Sequence, residues 1–272
     1  MTRLTAEAWL DFRSDQDYQQ GHLPNAAHFE WPNLTEQLNQ LPAPPSALGL
    51  IAPENQLNEI QAFLQSKAYQ IVETIPSDQF NVTQPGLVMG KSPQLWSPTP
   101  ILQTFVQNEI TRPGLALDLG CGGGRDAVFL AEQGWQVTAI DNQARVLERA
   151  QSLAESRRVS VNWLEADLRQ PQARPEPFFD LVLMVRFLNR DLFPYIKHIT
   201  RPGGYVLIHT FSQGSEQFGS PKNPNLILKP GELAKEFVEF DIIIDKIEPL
   251  EDGRPMATFV ARKRRIHEED NL

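Results

Sequence analysis

From residue 101 onward the apolar positions switch between two spacings. Ile101, Leu102, Phe105, Val106 and Ile110 recur at helical intervals, whereas Leu115 to Leu119 is a short apolar run broken by Gly120, the signature of a buried strand. Residues 126–133 then predict a helix ending at Gly134, and 136–140 a strand. The alternation continues with a helix over 144–156, strands over 159–164 and 179–185, a helix over 192–200 that stops before Arg201-Pro-Gly-Gly, and a strand over 205–210. Strands separated by helices imply an α/β fold with a doubly wound, mostly parallel sheet. The end of the chain breaks this rule. Residues 241–247 and 257–262 flank Asp252-Gly253 without room for a crossover helix, so they predict an antiparallel hairpin and bring the sheet to seven strands.

Ahead of this lies a different piece. Residues 1–75 carry Arg3, Arg13 and Lys67 as their only Lys or Arg, against nine acidic side chains, a net of −6, while the remainder is only −3. Between them, Pro76, Pro85, Gly86, Pro93, Pro98 and Pro100 interrupt any periodicity. The expected organisation is therefore a small α/β domain over 1–75, a linker over 76–100, a main domain over 101–265 and a tail over 266–272.

Composition narrows the partners. The chain of 272 residues is 41% hydrophobic, enough for a substantial core, and its net charge of −9 argues against a nucleic-acid or anionic membrane surface as partner. Cys121 is the single cysteine, so no internal disulfide or Cys-rich metal site is expected. Residues 1–10 lack a basic stretch leading into an apolar one, and no run of about 18 apolar residues occurs; the expected location is the cytoplasm.

The chemistry concentrates at Leu117-Asp-Leu-Gly-Cys-Gly-Gly-Gly-Arg-Asp126, where a strand turns into a helix. Glycines at 120, 122 and 124 let the backbone take positive φ and approach a ligand, and the N–H groups opening the next helix face an anionic group. Asp141 ends the following strand, where a carboxylate can accept both hydroxyls of a ribose, and Asp167 follows the strand after that. Acidic groups at three successive strand ends are not needed by a mere packing turn. A nicotinamide-dependent oxidoreductase is the rival reading, since Gly122-x-Gly124-x-x-Ala127 fits the dinucleotide fingerprint. Asp118 and Gly120 have no role there, and no Tyr-x-x-x-Lys pair is present.

These residues resemble the class I S-adenosylmethionine-dependent methyltransferases, whose acidic-x-Gly-x-Gly-x-Gly signature is matched from Asp118 to Gly124. The resemblance covers about residues 92–263 and implies a Rossmann-like fold with S-adenosyl-L-methionine as cofactor. It implies cofactor contacts from Asp118, Gly120, Gly122 and Arg125, from Asp141 and Asn142 at the ribose, from Asp167 and Leu168 at the adenine, and from Val185 near the methyl group. Within the superfamily, Gly124-Arg-Asp126, Leu130-Ala-Glu-Gln-Gly134, Arg201-Pro-Gly-Gly-Tyr205 and Lys229-Pro-Gly-Glu-Leu233 look like the tellurite-resistance and thiopurine-type small-molecule methyltransferases. A cofactor-binding sensor or scaffold without turnover is the alternative from another class.

Methyl transfer is an in-line displacement in which the protein mainly aligns a nucleophile in a dry pocket, and a dedicated base is optional. Residues after the fourth and fifth strands face the crevice, so Arg186, Asn189, Arg190 and His209 are the acceptor-side candidates, with Trp96 as a candidate lid and the Phe211 to Lys229 loop as a mobile cover. Structural readings exist beside these: Arg186 and Arg190 can pair with Asp191, His209 can be an ordinary core histidine, and Trp96 can simply pack. No Asn/Asp-Pro-Pro-aromatic motif is present, and one cysteine excludes multi-cysteine arsenic chemistry. The acceptor is expected to be a small thiol, selenol, oxygen or nitrogen nucleophile, or a protein side chain.

In the front piece, Trp9-Leu-Asp-Phe-Arg13 followed by Gly21-His-Leu-Pro-Asn-Ala26 resembles the rhodanese family. That family places a persulfide-forming cysteine in a loop after the strand matching Ala47 to Ile51, but here the stretch reads Ala52-Pro-Glu-Asn55, without a cysteine and with an acidic residue. The resemblance implies an inactive domain that docks on the rest of the chain, on a protein partner or on a further copy in a homo-oligomer.

Overall fold

A computed structural model describes residues 5–176, 178–250 and 252–265. The expected tail, 266–272, lies outside the described residues. The chain divides into two compact units, Met1–Ser97 and Pro98–Leu272.

The first unit contains β1 (Ala8–Asp11), α1 (Asp15–Gln20), β2 (Ala26–His28), β3 (Ala47–Ala52), α2 (Glu54–Ser66) and β4 (Gln70–Pro76). All strand pairs are parallel, in the order β2-β1-β3-β4. β3 is buried at every position, because the helices and turns cover both faces of the sheet. On α2 the buried residues are Leu57, Ile60 and Leu64, three side chains on one helical stripe, and they join Leu10, Leu48, Leu50 and Tyr69 in one cluster. The stretch expected as a linker lies against this unit as far as residue 97. Val88 exchanges backbone hydrogen bonds with His22, Ser92 Oγ accepts the N–H of His28, and Phe80, Leu87 and Leu95 pack on the unit's apolar clusters.

The second unit begins with α3 (Pro100–Glu109) and continues β5 (Leu115–Leu119), α4 (Arg125–Glu132), β6 (Gln136–Asp141), α5 (Ala144–Arg157), β7 (Asn162–Glu165), β8 (Phe179–Val185), α6 (Phe193–Ile199), β9 (Thr200–Phe211), α7 (Glu232–Glu236), β10 (Phe240–Pro249) and β11 (Pro255–Lys263). The sheet order is β10-β11-β9-β8-β5-β6-β7, parallel except that β11 runs antiparallel to both β9 and β10. One face, through Val182, Met184, Val206, Ile208 and Phe259, packs on Phe193, Ile196, Leu233 and Phe237 of α6, α7 and the residue after α7. The other face receives α3, whose Phe105 meets Tyr205 edge-on at 5.3 Å.

Most elements fall where the periodicity placed them. β9 is the largest difference, since it starts at Thr200 and contains the Arg201-Pro-Gly-Gly turn as a bulge between the pairings Phe179↔Thr200 and Leu181↔Tyr205. A Cβ on Gly204 would come within 3.0 Å of the Asp180 and Arg201 carbonyl oxygens, so this bulge needs glycine. β7 is shorter than its apolar run suggests, and α7 carries no clear periodic signal over its five residues.

Candidate functional site

The site is built at the carboxyl ends of β5, β6 and β8, where the strand order reverses and an α/β sheet leaves a crevice. The loop after β5 doubles back on β6, because the N–H groups of Gly120 and Cys121 both donate to the Ile140 carbonyl at 2.9 Å. Its three glycines serve different purposes. A Cβ on Gly120 would strike the Phe187 ring at 2.7 Å, and one on Gly124 would strike Ala150 and Trp163 at 2.6 and 2.7 Å. Those two permit packing. Gly122, at φ +53°, faces open space with nothing within 4 Å of its Cβ position, so it is the glycine of the three that leaves room for a ligand.

Around this loop stand the carboxylates. Asp118 is fully enclosed, its Oδ2 has no hydrogen-bond partner, and burial, with Asp126 and Asp141 nearby, raises its pKa well above the usual carboxylate range. Asp141 accepts from the N–H of Gly122 through Oδ2 and from the N–H of Gln143 through Oδ1, both at 3.0 Å. Asn142 follows in the exposed turn before α5. Arg125 opens α4, and its positive charge favours the ionised form of Asp126.

Asp126 is a site residue that sequence reasoning passed over. Its carboxylate accepts from the N–H of Thr99 at 2.6 Å and from Thr99 Oγ1 at 2.8 Å, which fixes the start of α3 beside the glycine loop. Its pKa is raised by burial, against the lowering effect of the Thr99 bonds. An acidic residue in the first turn of a helix is ordinary by itself, so only tertiary proximity reveals this role.

Asp167, expected at the adenine, lies two residues beyond the end of β7 and is gripped by Arg169 through Nε and Nη2, at 2.9 and 2.8 Å; these hydrogen bonds lower its pKa. Leu168 is buried in the main core, and its carbonyl accepts from Arg174 Nε at 2.9 Å.

The acceptor-side candidates separate into two groups. Arg186 directly follows Val185 at the end of β8, holds φ +50°, and donates its N–H to the His209 carbonyl at 2.8 Å. A non-glycine residue held in the left-handed region costs about 1–3 kcal/mol and is concentrated at functional sites. His209 is joined through Nδ1 to Thr258 Oγ1 at 2.9 Å, and burial, reinforced by Arg186, pushes its pKa down to about 4. Asn189 instead caps a short turn, accepting from the N–H of Asp191. Arg190 is committed to Glu232 and to the carbonyls of Asn225 and Ile227, not to Asp191. That arginine holds the segment before α7 in place. Trp96 belongs to the first unit.

The Phe211 to Lys229 loop is stitched at its base. Leu228 donates to the Phe211 carbonyl, Gln213 to that of Leu228, and Ser215 Oγ donates to the carbonyls of Ser212 and Pro255. At its outer part Phe218 and Leu226 are exposed.

In the first unit, the Asp11 to Arg13 motif is structural. Arg13 grips both Asp11 oxygens, donates to the Gly21 carbonyl at 2.8 Å and stacks on Phe80. The expected Ala52–Asn55 loop shrinks to Pro53, because β3 runs to Ala52 and α2 starts at Glu54.

Residues 116–204 match the family model described as a methyltransferase domain, about a third of the chain. The sheet order, the cradle at Gly122 and the unpartnered Asp118 carboxyl agree with that family's cofactor, S-adenosylmethionine, whose sulfonium and ammonium charges call for buried acidic groups. Residues 116–204 are thus those of a methyltransferase domain, which makes the chain an enzyme with S-adenosylmethionine as its cofactor.

Among known proteins, "Uncharacterized protein UNK4.09" of Schizosaccharomyces pombe is 23% identical and aligns over 93% of both chains. The "Ubiquinone biosynthesis O-methyltransferase" of Rickettsia akari is 28% identical over 155 residues, and the match spans 49% of this chain and 61% of that one. In fold, TehB from Haemophilus influenzae superposes with a TM-score of 0.52 at 22% identity, covering 61% of this chain and 63% of the other. Among the described residues no helix is long and apolar enough to cross a membrane.

Proposed function

We propose that the second unit transfers the methyl group of S-adenosylmethionine to a small-molecule nucleophile held beside Val185, Arg186 and His209, in the manner of the tellurite-resistance and thiopurine-type branch. The observation that carries this reading is the joined crevice, in which the Gly122 cradle, the buried Asp118 carboxyl and the Asp141 carboxylate stand together at the strand switch point. When bound, the cofactor supplies an electrophilic methyl on a positive sulfur. Asp141 binds the ribose hydroxyls, Gly120 and Gly122 approach the methionine part, and Asp118 balances its positive charge. Asp167 with Leu168 accommodates the adenine.

An oxygen acceptor, the type named for the Rickettsia akari relative, is favoured among thiol, selenol, oxygen and nitrogen. An oxygen nucleophile must shed its proton as the new bond forms. In the tautomer whose Nδ1 carries the proton, Thr258 Oγ1 at 2.9 Å accepts its hydrogen bond, and Nε2 of neutral His209 is the lone-pair nitrogen that takes the proton from the acceptor. The low basicity of His209 is no obstacle, because a methylated hydroxyl oxygen is far more acidic than the free one. Arg186 orients an anionic or polar acceptor.

The first unit is proposed to be a rhodanese-like domain without sulfurtransferase activity. A persulfide needs a thiolate, and the single thiol, Cys121, sits in the other unit with its pKa raised by burial. It serves as a docking module for a protein partner or a further copy, and we place the enzyme in the cytoplasm.

The test is calorimetric titration with S-adenosylmethionine, S-adenosylhomocysteine and NAD, followed by turnover of phenols, thiols, selenols and amines. Binding of the two adenosyl ligands at one site, with methylation of a phenol, supports the reading. Tight NAD binding without a response to S-adenosylhomocysteine would sink it, and cofactor binding with no turnover on any acceptor favours a sensor or scaffold. Thiosulfate-to-cyanide transfer that survives Cys121→Ser would overturn the assignment of the first unit.

A further inference from the structure

The opposite edge of the seven-stranded sheet carries a second concavity. A cavity of about 500 Å³ opens at the amino ends of β5 and β8 and beside the bulge of β9, lined by Arg112, Arg201, Arg262 and Arg265 together with Glu109 and Asp180. Four guanidinium groups face two carboxylates there, a net of +2 in a chain whose total is −9. α3 and α4 end at this edge, and their partial negative termini offset about one elementary charge, so the cavity stays positive.

Among the described residues only Arg201 of the four arginines is paired with a carboxylate. Asp180 is gripped by Nη1 of Arg201. Arg262 lies over the Tyr205 ring at 5.3 Å and donates Nε to the Gly203 carbonyl, which orients its guanidinium without neutralising it. Arg112 and Arg265 are exposed and form no side-chain hydrogen bond or ion pair among the described residues. By contrast, the neighbouring cations of β11 and the residue after it are engaged, Lys263 with the carbonyls of Lys197 and Thr200 and Arg264 with Asp241. Planar guanidinium groups with unused donors around one concavity match phosphate oxygens in shape and charge.

We infer that this edge binds a small anion bearing more than one phosphate group, at a site separate from the cofactor crevice. Five residues of β5 separate the two edges, a rise of about 16 Å, so both sites can be filled at once. The inference does not depend on which nucleophile the crevice accepts.

The experiment is calorimetric titration of the full chain with inorganic pyrophosphate at low ionic strength, where screening is weakest. The expected result is one site per chain, unaffected by saturating S-adenosylhomocysteine. Arg112→Glu/Arg265→Glu alters two exposed side chains and is expected to weaken pyrophosphate about tenfold or more while leaving S-adenosylhomocysteine affinity unchanged. Arg186→Ala, at the other edge, leaves pyrophosphate binding as it was. Absence of pyrophosphate binding, equal binding by the charge-reversed chain, or displacement by S-adenosylhomocysteine would each overturn the inference.

Discussion

Oδ2 of Asp141 accepts the backbone N–H of Gly122 at 3.0 Å, which makes the end of β6 and the turn after β5 a single piece of structure. The carboxylate proposed to bind the ribose therefore also holds the glycine loop in place. Asp141→Ala is expected to weaken S-adenosylhomocysteine binding by about 1.5–3 kcal/mol, the scale of a hydrogen bond to a charged acceptor. Asp141→Asn retains an acceptor for one backbone donor and should fall between. Calorimetry on the three chains checks this order, and unchanged affinity in the alanine variant would remove Asp141 from the site.

Asp118 poses a different trade. Its pKa is raised by burial, so its contribution to stability is fully present below the unfolded value near 3.8 and is lost as pH rises toward the raised folded value. Asp118→Asn removes that penalty. The variant should melt a few degrees higher than the parent at neutral pH without ligand, yet gain less from S-adenosylmethionine. Thermal unfolding with and without ligand measures both, and a destabilised apo variant would contradict the burial argument.

The glycines separate folding from binding. Gly124→Ala combines φ +77° with contacts of 2.6 and 2.7 Å to Ala150 and Trp163, so it should destabilise the unit by about 2–4 kcal/mol. Gly122→Ala meets no neighbour and carries only the strain of φ +53°, about 1 kcal/mol. Its main effect should be on ligand affinity. Chemical denaturation beside ligand titration distinguishes the two, and equal denaturation midpoints for both variants would refute the assignment.

His209 should leave a pH signature. With a folded pKa of about 4 and an unfolded value near 6.5, the unfolded chain takes up a proton that the folded chain refuses between those limits. Stability is highest above pH 6.5 and declines toward pH 4, by up to about 1.4 kcal/mol per pH unit from this group. Burial comes first, with Arg186 and Lys246 also favouring the neutral ring, and together they outweigh the hydrogen bond to the Ala257 backbone and the Glu248 charge, which oppose them. His209→Gln should flatten the curve in that window and lower kcat for an oxygen acceptor, with little change in cofactor affinity. An unflattened curve would show that the imidazole is not held neutral.

Sequence periodicity determined most of the architecture, because an alternating α/β chain has few right-handed ways to bury its strands and a two-strand ending with no helix must fold back as a hairpin. It also marked the glycine turn and the acids at Asp118 and Asp141, since their spacing follows from where strands stop. Tertiary structure decided the rest. Whether a glycine opens on a cradle or on a neighbour, as Gly122 and Gly124 differ, depends on what packs opposite. The pairing of Arg190 with Glu232, 42 residues away, and of Asp126 with Thr99, 27 residues back, is set by helix packing that leaves no local trace. Residues 77–97 have no periodicity, and still lie along the first unit through contacts such as His22 with Val88. The arginine-lined cavity joins Arg112, Arg201, Arg262 and Arg265 from three distant stretches, which only the common edge of one sheet brings together.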